Sequence, residues 1–207
     1  RFKHLSIQQG LSNNQVNCFL KDSRGFVWIG TLSGLNRFDG YAFISYRNSV
    51  RDSTSIPNND IRKLFEDPRG RIWVITNFSA CVYDPEKDIF YRNVNAILDE
   101  FSIPSGTILQ ILKDKSGKYW FVHESAGLFM HDPQEKMTRK LIDNAEKQSA
   151  ISSFMEDSQG NFWILYRNGV LEKMHGTNHN IIYRRNLFRK LNLDNSPLYE
   201  ACLDLDD

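Results

Sequence analysis

Asp22-Ser23-Arg24-Gly25-Phe26-Val27-Trp28 is the stretch that decides the fold, because it returns three more times. The later copies are Asp67-Pro68-Arg69-Gly70-Arg71-Ile72-Trp73, Asp114-Lys115-Ser116-Gly117-Lys118-Tyr119-Trp120 and Asp157-Ser158-Gln159-Gly160-Asn161-Phe162-Trp163. The Trp-to-Trp steps are 45, 47 and 43 residues, and all four tryptophans of the chain occupy this slot. A period of about 40–50 residues marks a repeat architecture, in which each unit buries its apolar face only against its neighbours.

Around the first copy the pattern is that of four short strands. Val16 to Lys21 is an apolar-rich run that reads as strand A. Asp22 to Gly25 is a turn: an Asp carboxylate accepts a backbone N–H two residues on, and Gly tolerates positive φ. Phe26 to Thr31 then alternates Phe26, Trp28 and Gly30 against Val27 and Ile29, the period of a strand. A Ser33-Gly34 turn, a third strand over Leu35 to Asp39, a turn at Gly40 and a fourth strand over Tyr41 to Tyr46 complete the unit.

The other copies follow the same plan. Copy two gives strands over 61–66, 71–76, 80–84 and 89–92; copy three over 108–113, 118–123, 128–131 and 136–141; copy four over 151–156, 161–166, 170–174 and 181–185. The fold class is all-β, a β-propeller of four-stranded antiparallel blades. Blades are expected at about 15–47, 60–92, 107–141 and 150–185, with the start of a fifth at about 198–207 and residues 2–7 as an outer strand closing the last blade. A β-solenoid would have shorter coils, and an immunoglobulin-like sandwich would not repeat an Asp–Gly–Trp slot. Both ends fall in mid-pattern, so the chain reads as part of a longer one.

The 207 residues are 41% hydrophobic, enough for a sizeable core, and 26 basic against 25 acidic residues leave a net charge of +1. Nothing at that level marks a nucleic-acid or anionic-membrane partner. The densest basic run, Arg184, Arg185, Arg189 and Lys190, reads as a solvated strand and loop. Cys18, Cys81 and Cys202 lack metal-type spacing and read as small buried hydrophobes.

The stretch from Gly10 to Asn17, followed by Asp22 to Thr31 and Gly34 to Gly40, strongly resembles the two-component regulator propeller repeat. Blade one is the nearest match; blade two has Ile75 and Ser79 for Gly30 and Gly34, blade three inserts a residue before Gly127, and blade four has Leu165 and Tyr166 in the Gly-Thr slot. The resemblance implies the periplasmic sensor half of a Bacteroidetes-type hybrid two-component system. Such proteins carry two seven-bladed propellers, an immunoglobulin-like domain, a membrane helix, a histidine kinase, a receiver and a DNA-binding region. They sense oligosaccharides from complex glycans. This chain would then be part of the first propeller, a non-enzymatic module working with the rest of the same receptor, which is expected to be a homodimer.

Asp22, Asp67, Asp114 and Asp157 occupy the same turn of separate blades, so they cannot pair across a scissile bond as glycosidase carboxylates do. With Gly25, Gly70, Gly117 and Gly160, and with Trp28, Trp73, Trp120 and Trp163, they read as structural. His175 and His179 have i, i+4 spacing, but the residues between them form a turn, and no further ligand completes a metal site. No cofactor motif is present. The D-to-A and B-to-C connections of a propeller share one face, where recognition loops sit on a rigid scaffold. They hold Asn13, Asn14, Asn58, Asn59, Asn77, Phe78, His123, Glu124, Arg167 and Asn168. Amides, an aromatic ring and a few charges suit an oligosaccharide ligand, although Asn is also simply a good turn residue.

Overall fold

A computed structural model describes residues 5–187. The architecture is all-β: four separate four-stranded antiparallel sheets, each with its strands in sequence order, as in β-propeller blades. The first holds β1 (Val16–Lys21), β2 (Val27–Thr31), β3 (Gly34–Phe38) and β4 (Phe43–Tyr46). The second holds β5 (Ile61–Glu66), β6 (Ile72–Thr76), β7 (Ala80–Asp84) and β8 (Ile89–Tyr91). The third holds β9 (Ile108–Lys113), β10 (Tyr119–His123), β11 (Gly127–Asp132) and β12 (Met137–Asp143). The fourth holds β13 (Ile151–Glu156), β14 (Phe162–Tyr166), β15 (Val170–Met174) and β16 (Ile181–Asn186).

Strand B starts one residue later than the alternation suggests in every blade. Phe26, Arg71, Lys118 and Asn161 belong to the turn instead. Each donates its N–H to the Asp Oδ1 at 2.8–3.1 Å, and its carbonyl accepts the N–H of the same Asp at 2.8–3.0 Å. The Gly of the motif has φ between 72° and 93° in all four turns, a region that costs a side chain energy. A β-bulge recurs in all four A/B pairs, opposite the end of strand B. Such a bulge re-aims side chains at the rim of the sheet.

The described residues form two compact units that divide between Ile97 and Leu98. In the first, Trp28 and Leu35 of blade one pack with Ile61, Leu64, Ile72, Val74 and Tyr83 of blade two in one core. Gly30 sits where the blades come closest: a Cβ there would lie 2.6 Å from both Cys18 Sγ and Ile61 Cγ2. Two polar contacts fasten the seam. Asn17 Nδ2 donates to Ile61 O at 2.9 Å, and the Ser23 N–H and hydroxyl donate to the Glu66 carboxylate.

The second unit repeats both devices. Trp120 packs against Phe162 and Phe154 of blade four, with ring centroids 4.3 and 5.3 Å away. Gln110 Nε2 donates to Phe154 O at 2.8 Å, and Lys115 N–H to Glu156 Oε2 at 3.0 Å. Ser23 and Lys115 are equivalent positions of the repeat, the residue after the turn Asp, and each faces the next blade; Asn17 and Gln110 are adjacent positions of strand A that serve the same end.

Three short elements go beyond the sequence reading: a 3-10 turn at Ile7–Gln9, and helices α1 (Asn95–Asp99) and α2 (Asn144–Lys147) in two D-to-A connections. The first corrects an expectation. Residues 5 and 6 are not in a strand and Ile7 opens the 3-10 turn, capped by Ser6 and Gln9, so the described part of 2–7 is not an outer strand. The expected start of a fifth blade at 198–207, with Cys202, Arg189 and Lys190, lies outside the described residues. Trp28, Trp73 and Trp120 are fully buried. Trp163 is only partly buried, and the Lys173 ammonium lies 5.0 Å from its ring centroid. Burial pushes the Cys18 and Cys81 thiols up to about 11 and about 12, which keeps them protonated and unreactive.

Candidate functional site on the loop face

The same hydrogen bond occurs in each blade. The first residue after strand B donates its N–H to a carbonyl of the D-to-A connection: Leu32 to Gln15, Asn77 to Asp60, Glu124 to Thr107 and Arg167 to Ala150, at 2.9–3.4 Å. The two sets of loops therefore share one face within each unit.

In the first unit this face carries Asn13, Asn14, Asn58, Asn59, Asn77 and Phe78. Four of the amides are held by local backbone. Asn13 Oδ1 accepts from Gln15 N and its Nδ2 donates to Ser33 Oγ. Asn14 Oδ1 accepts from Ile7 N, Asn58 Oδ1 from Asp60 N, and Asn59 Oδ1 from Asn48 N. Asn77 and Phe78 stand out of the face, and the Phe78 ring is 82% exposed. Its turn is tight: Thr76 N–H donates to Ser79 O at 2.8 Å, and Thr76 Oγ1 accepts the Ser79 N–H. An exposed ring on a hairpin held in this way is a preformed flat apolar surface.

In the second unit the face carries His123, Glu124, Arg167 and Asn168. Glu124 and Arg167, from adjacent blades, meet at 3.4 Å, and both are substantially exposed. Asn168 Oδ1 accepts the Val170 N–H. His123 does not belong with the loop residues. It is the last residue of β10 and only 1% exposed. It stands three residues after Trp120, as Thr31 and Thr76 stand after Trp28 and Trp73. Its Nδ1 accepts the Ser125 and Ala126 N–H groups, the task that Thr31 Oγ1 performs for Ser33 N–H. Gly106 lies over the ring edge, where a Cβ would be 2.6 Å from Nε2.

Two polar clusters escaped the sequence reading. Ser12, Thr31 and the fully buried Asn36 form a network, with Asn36 Nδ2 donating to Ser12 Oγ at 2.8 Å and its Oδ1 accepting Ser12 N–H at 2.9 Å. In blade four the fully buried Glu172 accepts Lys147 Nζ on both oxygens at 3.0 Å and the Tyr166 hydroxyl at 2.9 Å. A lone acid inside a buried strand was the available signal for the second; the first had none. Among the described residues no three His, Cys, Asp or Glu side chains converge on a possible metal position. None of the described helices is long and apolar enough to cross a membrane.

The two-component regulator propeller family matches residues 10–33 and 55–78, the connection and first two strands of blades one and two. These two stretches are similar to two-component regulator propeller repeats. Over 55 residues the chain is 47% identical to histidine kinase P4 of Formosa agariphila, covering 27% of this chain and 4% of that protein. The extracellular domain of the putative one component system BT4673 from B. thetaiotaomicron aligns over the whole chain and 30% of its own length, with a TM-score of 0.59 and 24% identity. A second structure, titled as the extracellular domain of the putative hybrid two component system BT4673, aligns over 95% of this chain and 32% of its own, with a TM-score of 0.50 and 15% identity. At these identities the structural likeness bears on the fold of the repeats. The chain spans less than a third of each of these relatives.

Proposed function

We propose that these blades are part of the extracytoplasmic, periplasmic sensor region of a hybrid two-component regulator. In this reading they bind a glycan-derived oligosaccharide on the loop face and pass the signal to a kinase elsewhere in the same receptor, itself a homodimer. They form part of a seven-bladed ring and contact no nucleic acid. The match of the propeller repeats supports the receptor setting. The observation that carries the ligand class is Phe78: an exposed ring on a braced hairpin, beside the amide of Asn77, offers a stacking surface with polar groups at its edge. Among the described residues no three His, Cys, Asp or Glu side chains converge as a metal cluster would.

A second reading has its own observation. The side-chain oxygens of Asn13, Asn14, Asn58, Asn59 and Asn168 are already engaged by backbone N–H groups. Their turn-forming work favours a scaffold or dimerisation role, with the ligand bound elsewhere in the receptor. Calorimetric titration of this chain, and of the whole periplasmic region, with defined oligosaccharides separates the two. Binding of the same sugar by both supports the sensor reading for these blades; binding by the longer region alone assigns them to scaffold.

A further inference from the structure

We propose that a cleft at the seam of blades three and four, on the face opposite the loops, is a separate binding site for a short neutral oligosaccharide. The cleft encloses about 530 Å³, within the roughly 300–1,000 Å³ of small-molecule sites. Its walls are the A-to-B turns of both blades and the hairpin His175–Thr177 of blade four.

The walls are braced. Lys115 reaches from blade three to the carbonyls of Asp157 and Ser158, both at 2.8 Å. Gly176 is pressed onto the neighbouring turn: a Cβ there would lie 2.0 Å from Gly160 O. Asn161 Oδ1 receives the Gly176 N–H at 3.3 Å. A site held this way is preformed, which lowers the ordering cost of binding.

His175 carries the argument furthest. In the other blades the corresponding turn is capped by a carboxylate: Asp39 accepts Tyr41 and Ala42 N–H, Asp84 accepts Glu86 and Lys87, and Asp132 accepts Gln134 and Glu135. Blade four uses an imidazole instead. His175 Nδ1 faces Thr177 N–H at 3.3 Å, Thr177 Oγ1 at 3.1 Å and Asn178 N–H at 3.5 Å. A neutral imidazole accepting at Nδ1 carries its proton on Nε2. An aspartate would close the turn as well but would bring no donor. The exchange puts an imidazole in the cleft wall where the other described blades have a carboxylate at this position.

The remaining chemistry selects the ligand. Lys115, Asp114 and Glu156 all line the cleft, so it carries charges of both signs. The Gly117 and Gly160 N–H groups close their own turns, which leaves no free ladder for a peptide strand. What remains is the exposed Gln159 amide, Asn161 Nδ2, the Thr177 hydroxyl oxygen as an acceptor, and the imidazole of His175. Mixed donors and acceptors match hydroxyls, which are both at once.

The site shares a ligand class with the loop-face reading but stands on different residues, so one experiment separates them. The chain is titrated by saturation-transfer NMR and calorimetry with cellotriose, xylotriose and mannotriose. The proposal expects at least one to bind, with affinity falling about tenfold or more in His175→Asp, which keeps the turn cap, and in the exposed-site variant Gln159→Ala, while Val50→Ala, an exposed position outside both sites, binds normally. No saturable binding by any of the three overturns it. So does binding that survives both cleft variants; if Phe78→Ala abolishes that binding, the loop face is upheld and the cleft is not.

Discussion

The Trp120 indole N–H donates to Asp114 Oδ2 at 2.7 Å, so the turn acid and the core tryptophan of the repeat are one unit. The same bond joins Trp28 to Asp22 at 2.9 Å, Trp73 to Asp67 at 3.2 Å and Trp163 to Asp157 at 3.2 Å. One carboxylate oxygen closes the turn and the other receives the indole. This explains the fixed six-residue offset: only Asp at the turn mouth reaches both groups. Asp114→Ala leaves a buried indole N–H and a turn N–H without their acceptor, at a cost of about 2–3 kcal/mol. Asp114→Asn, which can still accept one of them, should lose less. Urea unfolding of both variants checks the order.

Gly30→Ala should destabilise the first unit by about 1–3 kcal/mol through overpacking, since the new methyl meets Cys18 Sγ and Ile61 Cγ2 at 2.6 Å. Adding Cys18→Ala removes one of the two obstacles. A double-mutant cycle should therefore show a favourable coupling between the two changes.

Burial raises the Asp157 carboxyl, but Lys173 at 2.9 Å and the Asn161 N–H outweigh it and hold it below the usual aspartate range. A depressed folded value means the stabilisation is fully present above the unfolded value of about 3.9 and is lost as pH falls through the folded one. Lys173→Met should flatten that acid limb. Thermal melts between neutral pH and about pH 2 would reveal it; an unchanged acid limb would count against the pair.

Glu172→Ala strips the buried partner from Lys147 and Tyr166 and should cost about 3 kcal/mol. Because Lys147 lies in α2, the loss should also free that connection, seen as faster amide exchange at residues 144–147.

Phe78→Ala should leave stability within about 0.5 kcal/mol, as expected for an exposed position. If the loop face binds sugar, the same change should weaken binding at least tenfold. Parallel melting and calorimetry separate the two effects.

Strand A was legible to the residue in all four blades, because its apolar run ends at an Asp that must turn. Strand B was legible except at its first residue: Phe26 or Arg71 continues the alternation in sequence, yet its N–H is taken by the Asp. Helices α1 and α2 were not legible, since five- and four-residue helices are set by the loops that hold them and not by periodicity. At the candidate site, Phe78 and Asn77 were readable as exposed turn residues. The amide partners were not, because Asn59 meets Asn48 and Asn14 meets Ile7 across folded loops. His123 could have been placed correctly from its distance to Trp120, the same as Thr31 from Trp28.

Every strand pairing among the described residues joins sequence neighbours, whereas Asn17 and Gln110 reach 44 residues forward to the next blade. Each sheet can therefore zip up from local hairpins, but the cover for Trp28 comes only with Ile61 to Val74. Within each unit assembly is thus directional: the first blade presents an uncovered apolar front until the second docks. Vectorial emergence of the chain, N-terminus first, supplies the covers in the order in which they are needed, and a pause between two repeats leaves one tryptophan-bearing surface open to aggregation.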